Sequence, residues 1–182
     1  MNRKRARLGV LMMAAVLVAA PYGPAAAAPS GSFNDPSGDA NPNDPRADIV
    51  STSVSWTGTT LTFSVVTAAP EAPTNPNWTS GDTYAAWDIF TNANEWLIVS
   101  FNVPDDGGPV AEVREPDGNT VCGGAASFRD NAYVAEIDAS CLKDPASFDM
   151  QAFMSYHSVS ANTNSLDTAP EGEGRCCAVT RP

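Results

Sequence analysis

Four aspartates, Asp35, Asp39, Asp44 and Asp48, fall within fourteen residues of a stretch dense in asparagine, proline and glycine. Carboxylate oxygens are hard donors, and calcium takes six to eight such oxygens in flexible geometry. Turn-forming chain carrying this much charge is therefore a constellation fit for calcium. Its spacing does not follow the EF-hand loop, so the signal is one of composition and not of motif. A second reading is purely structural, with Asp35 and Asp39 accepting backbone N–H groups in Asx turns. The sequence leaves both readings open.

The four tryptophans are the other residues that suggest binding, because an indole presents a large flat apolar face with a polar edge. Trp56 shares the face of Val50, Thr52 and Val54 and belongs to a core. Trp78 stands in a segment broken by Pro70, Pro73 and Pro76, which makes it the expected exposed platform. Trp87 and Trp96 flank a hairpin, as part of a ligand face or of a second core face under a loop. The ligand-binding candidates are thus Trp78, Trp87 and Trp96.

Catalytic motifs are missing. The chain has no G-x-S-x-G, no H-E-x-x-H and no C-x-x-C, and its one histidine, His157, reads as a structural residue near a strand end. Glycoside hydrolysis needs only two carboxylates at a set separation, but with 21 acids any pair could be nominated. Four cysteines allow three pairings. Cys122 and Cys141 bracket an expected antiparallel strand pair, which would bring them within bridging distance. Cys176 and Cys177 are adjacent, leaving a vicinal disulfide, free thiols or links to another chain.

Ten basic residues oppose 21 acids, for a formal charge of −11. So acidic a chain lacks the basic face that nucleic acid requires. Residues 1–27 read as a secretory signal peptide: Arg3, Lys4, Arg5 and Arg7 precede an apolar run over residues 8–20, and Ala25, Ala26 and Ala27 follow. That run is too short to span a bilayer, so no membrane span is expected. Removing it takes four of the ten basic residues and none of the 21 acids, leaving −15. Export would place all four cysteines in an oxidising compartment.

These residues need elements to hold them. Residues 28–48 are an acidic, turn-rich opening. Residues 49–56 and 60–67 alternate apolar and polar side chains around a glycine turn and form a hairpin. Further alternating runs fall at 83–91, 95–103, 110–115, 121–128, 131–139 and 148–156, with one helical turn at 141–145. Residues 49–157 thus make the β core, and 158–182 form a polar segment packed on it. About eight short strands without an amphipathic helix imply a single all-β domain, an antiparallel sandwich with a closed barrel as runner-up.

Phe33-Asn34-Asp35-Pro36-Ser37-Gly38-Asp39, Ala47-Asp48-Ile49 and Leu61-Thr62-Phe63-Ser64-Val65 resemble the opening of secreted bacterial, actinobacterial-type β-sandwich domains. These are domains with the DOMON or family-9 carbohydrate-binding-module fold. The segment 122–142 and Asp167-Thr168-Ala169-Pro170-Glu171-Gly172 are similar to them as well, whereas residues 86–90 depart from their more acidic pattern. The resemblance implies a jelly-roll-like sandwich acting as a binding module, and it adds Asp167 as a calcium ligand from the far end of the chain. The expected function is extracellular, non-enzymatic binding of a carbohydrate or other small ligand, with calcium as a structural aid. The alternatives are a secreted enzyme that cleaves glycosides with paired carboxylates, and a structural or adhesive envelope protein.

Overall fold

The computed structural model describes residues 29–182 apart from 92–94 and 106. The signal peptide read over residues 1–27 lies outside them. Side chains alternate between the two faces of a strand, and the period-2 runs form strands throughout. These are β1 (Ser30–Asn34), β2 (Ile49–Thr57), β3 (Thr60–Thr67), β4 (Tyr84–Thr91), β5 (Trp96–Asn102) and β6 (Val110–Arg114). They continue as β7 (Thr120–Arg129), β8 (Ala132–Asp138), β9 (Ser147–Ser158), β10 (Thr163–Ala169) and β11 (Cys176–Thr180). Short 3-10 turns occupy Trp78–Ser80 and Ala139–Leu142. No helix among the described residues is long and apolar enough to cross a membrane.

Every strand pairing is antiparallel, in the order β1-β2-β3-β8-β7-β6-β5-β4-β9-β10. β9 is long enough to serve two neighbours on one edge, β11 along Phe148 and Met150 and β10 from Ala152 onward. β11 also lies against β1, and β10 and β11 touch β2, so the sheet nearly closes on itself. Inward side chains then meet across the interior. Phe63 of β3 lies 5.6 Å from Trp87 of β4 and 6.1 Å from Phe148 of β9, ring centre to ring centre. The Trp87 indole donates to Thr52 Oγ1 of β2 at 3.1 Å, which satisfies its only polar atom inside the core.

The all-β, antiparallel expectation holds, but eleven strands replace about eight. The additional ones are β1, β10 and β11, in segments that lack an apolar alternation. In β10 the inward residues are Ser165, Asp167 and Ala169, while Leu166 is exposed. Its pattern is inverted because its inward face is polar at Ser165 and Asp167 and reaches the apolar core only at Ala169. The segments 28–48 and 158–182 therefore supply strands of the sheet itself.

Trp78 is a correction. The connection over residues 68–83 joins β3 to β4, five positions apart in the sheet order, and carries Trp78 inward. The indole is 0% exposed and packs 4.7 Å from Tyr133 and 5.4 Å from Phe101. The segment does run over the surface, as its prolines imply, with residues 68–82 exposed or half-buried apart from Trp78, whose side chain alone turns into the core.

Candidate metal centre

The acidic opening folds back on the sheet through hydrogen bonds to Asp48. Gly38 adopts φ +98°, a left-handed conformation open to glycine, and its N–H meets the Asp48 carboxylate at 2.8 and 3.0 Å. Ser37 Oγ donates to the same group at 3.1 Å. The turn so held brings Asp39 back beside Asp35, which follows β1 directly. Asn41 then exchanges two backbone hydrogen bonds with Leu166, at 2.9 and 3.1 Å, and straps the segment to β10. Asp167, one residue further along β10, points inward.

Asp35, Asp39 and Asp167 thereby offer carboxylate oxygens that all lie within 4.8 Å of one another. Asp35 is only 8% exposed. Its Oδ2 and the Oδ1 of Asp39 are buried without a hydrogen-bond partner, so the Asx-turn reading does not account for these two atoms. Asp167 is differently held: its Oδ2 accepts the Ile49 N–H at 2.7 Å and its Oδ1 the Thr168 N–H at 2.8 Å. Two unit charges about 4 Å apart repel by about 4 kcal/mol at an effective dielectric of about 20. Burial, reinforced by the charges of Asp167, Asp39, Glu171 and Asp48, pushes the Asp35 carboxyl up to about 7. Burial also raises Asp167, against the pull of its two backbone donors. A cation would remove this repulsion and use the orphaned oxygens.

The donor set consists of hard oxygens from one loop and one strand, which suits calcium. Asp35, Asp39 and Asp167 would hold the ion, which would supply positive charge and a crosslink. An open crevice beside them is lined by Asp39, Asn41, Leu166, Asp167, Thr168 and Glu171. Glu171 is a neighbour of the site that the sequence does not predict: it follows Asp167 by four residues, and its charge acts on Asp35.

Asp44 and Asp48 leave the ligand set. Asp44 forms a paired contact with Arg46, Oδ1 to Nε at 2.9 Å and Oδ2 to Nη2 at 2.7 Å, and this pairing lowers its pKa. Arg46 in turn rests 4.3 Å above the Tyr156 ring. Asp48 is committed to the Gly38 turn.

The candidate ligand tryptophans separate as well. Trp87 is buried in the core beside Phe63, so it is withdrawn from any ligand face. Trp96 starts β5 on the outer face and is 45% exposed. It stacks on Phe90 at 6.4 Å with 12° between the rings, and the Arg175 guanidinium lies 3.8 Å above Phe90. Burial raises the carboxyl of Asp88, against a smaller opposing pull from the neighbouring Trp96. Glu95 and Arg175 complete a shallow depression there. His157 Nδ1 faces Asn164 Oδ1 across β9 and β10. Cys122 and Cys141 are bonded, with Cα atoms 5.9 Å apart, as their bracketing of β7 and β8 implied. Comparison of the chain with protein-family models, curated proteins and solved structures finds no match.

Proposed function

We propose that the chain is a secreted, non-enzymatic binding module in which Asp35, Asp39 and Asp167 take calcium as a structural ion. The observation that carries this reading is the convergence of three carboxylates from residues 35, 39 and 167, with buried oxygens on Asp35 and Asp39 that accept no hydrogen bond. Bound there, the ion would fasten the opening segment to β10 across the seam where the sheet meets itself. In finer architectural terms we read the fold as a flattened, jelly-roll-like sandwich. The contacts of Phe63 with Trp87 and Phe148 across the interior support two facing layers. Titration of chelator-treated protein with calcium in a calorimeter tests the site. Saturable binding that Asp39→Asn abolishes is expected, and heat of dilution alone would sink the proposal.

The carbohydrate part of the reading rests on the outer face of β4 and β5. Trp96 and Phe90 offer stacked aromatic faces, and Glu95 and Arg175 beside them offer the donors and acceptors that sugar hydroxyls use. Glycan-array binding without turnover, lost in Trp96→Ala, is the expected result. Release of reducing sugar from a bound glycan would instead favour the paired-carboxylate enzyme.

A further inference from the structure

Consecutive side chains of a regular strand point to opposite faces, so neighbouring cysteines in a strand hold their sulfurs apart. β11 breaks that rule at Cys176 and Cys177. Its pairing with β9 runs from Cys176↔Met150 to Val179↔Phe148, three steps on one strand against two on the other, which is a bulge. Within it Cys177 takes φ +62°, a left-handed conformation that side chains rarely adopt. Both side chains thereby turn the same way, half-buried against the core, with their sulfurs 2.6 Å apart. A disulfide needs about 2.0 Å, so the two sulfurs already stand close to bonding distance. The other two of the four cysteines, Cys122 and Cys141, are already joined to each other.

We infer that Cys176 and Cys177 are a covalent modification site, forming a vicinal disulfide that locks the bulge of β11 against β1. The two thiols lose two protons and two electrons as the S–S bond forms. A disulfide of a thiol–disulfide oxidoreductase or of a small thiol accepts the electrons and leaves as two thiols. The lock sits at the seam. A methyl group added to Gly31 of β1 would lie 2.7 Å from the Cys177 Cα, so the β1 backbone rests directly on this peptide. Asp35 of the carboxylate site follows β1 by one residue, so the bond also steadies one wall of that site. That last consequence rests on the calcium reading, while the bond itself does not.

The experiment uses purified protein equilibrated with glutathione disulfide, alkylated without reductant and digested with trypsin. Cleavage follows Arg175 but not Arg181, which precedes Pro182, so both cysteines leave in one peptide over residues 176–182. That peptide is expected without alkyl groups and two hydrogens lighter than the dithiol, gaining two alkyl groups only after reduction. Two alkyl groups before reduction, or a crosslink to another copy or to Cys122 or Cys141, would overturn the bond. Neither reading involves calcium, so failure here is distinct from failure of the metal site. For the locking role, amide hydrogen exchange in β1 is compared between the oxidised protein and the Cys176→Ser/Cys177→Ser variant. Several-fold faster exchange in the variant is expected, and equal rates would overturn the lock.

Discussion

Asp167 accepts the backbone N–H of Ile49 at 2.7 Å, joining β10 to the start of β2 across 118 residues of sequence. The same carboxylate stands within 4.8 Å of the Asp35 and Asp39 oxygens. It therefore serves two purposes, tying backbone and completing an acidic cluster, whereas Asp35 and Asp39 carry oxygens committed to nothing else.

That difference separates the variants thermally. Under the calcium proposal, the ion at about 100 times its Kd is expected to add about 2.7 kcal/mol to the parent protein by mass action. For a chain of this size that corresponds to a rise in melting temperature of about 5 to 10 °C. Asp39→Asn abolishes the rise and leaves the metal-free protein as stable or more so, because one repelling charge is gone. Asp167→Ala abolishes it and also costs about 1–3 kcal/mol, because the buried Ile49 amide loses its acceptor. Asp44→Asn leaves the rise intact, since that carboxylate belongs to Arg46. Differential scanning calorimetry with calcium and with chelator reads all of these.

The pH dependence has a definite sign. Asp35 has a folded pKa of about 7 against an ordinary value of 3.8, so between these values the native state holds more protons than the unfolded state. Stability of the metal-free protein therefore falls as pH rises through this window. Under the calcium proposal, the ion is expected to reverse the trend by binding the ionised carboxylates, with an affinity that weakens as pH drops below about 7. Chelator should destabilise the protein more at pH 8 than at pH 5, as read from urea unfolding at each pH. An equal effect at both would remove Asp35 from the site.

Trp96 and Trp78 should behave oppositely. Trp96→Ala removes an exposed ring, so it weakens any glycan binding while leaving the unfolding midpoint nearly unchanged. Trp78→Ala empties a space between Tyr133 and Phe101 and should cost about 3–5 kcal/mol. Denaturant unfolding paired with glycan binding distinguishes the two, and a large stability loss in Trp96→Ala would contradict the exposed placement.

Gly31→Ala tests the seam. Its methyl group would press on the Cys177 backbone, which cannot move as a flexible side chain would. Overpacking of this kind costs about 1–3 kcal/mol. Gly123→Ala is the control on β7, because the added carbon would meet only Ala111 O at an ordinary 3.8 Å. Comparable losses in the two variants would argue against a tight seam.

Sequence reading reached the strands whose faces differ in polarity. Leu61, Phe63 and Val65 alternate with Thr62 and Ser64, and that contrast marks both a strand and its buried side. It also reached the acidic opening, because Asp35 and Asp39 crowd together along the chain itself. Asp167 came only through resemblance, since nothing local relates residue 167 to residue 35. β10 went unread because its buried residues are polar and its leucine is exposed, the reverse of what hydrophobic periodicity detects.

By itself the sequence determined what short-range chemistry controls: the all-β class, the first hairpin, the pairing of Cys122 with Cys141, the core position of Trp56 and the acidity of the opening. Each depends on neighbours a few residues apart or on strands joined by a single turn. Tertiary structure alone decided which aspartates converge, which tryptophan is exposed, and that Cys176 and Cys177 bring their sulfurs together. Those outcomes follow from closure of the sheet, which sets β1 on β11 and leaves the Trp78 indole of the 68–83 connection buried against Tyr133 and Phe101. Closure is a sum of many long-range pairings, and no local pattern of residues encodes which edge will meet which.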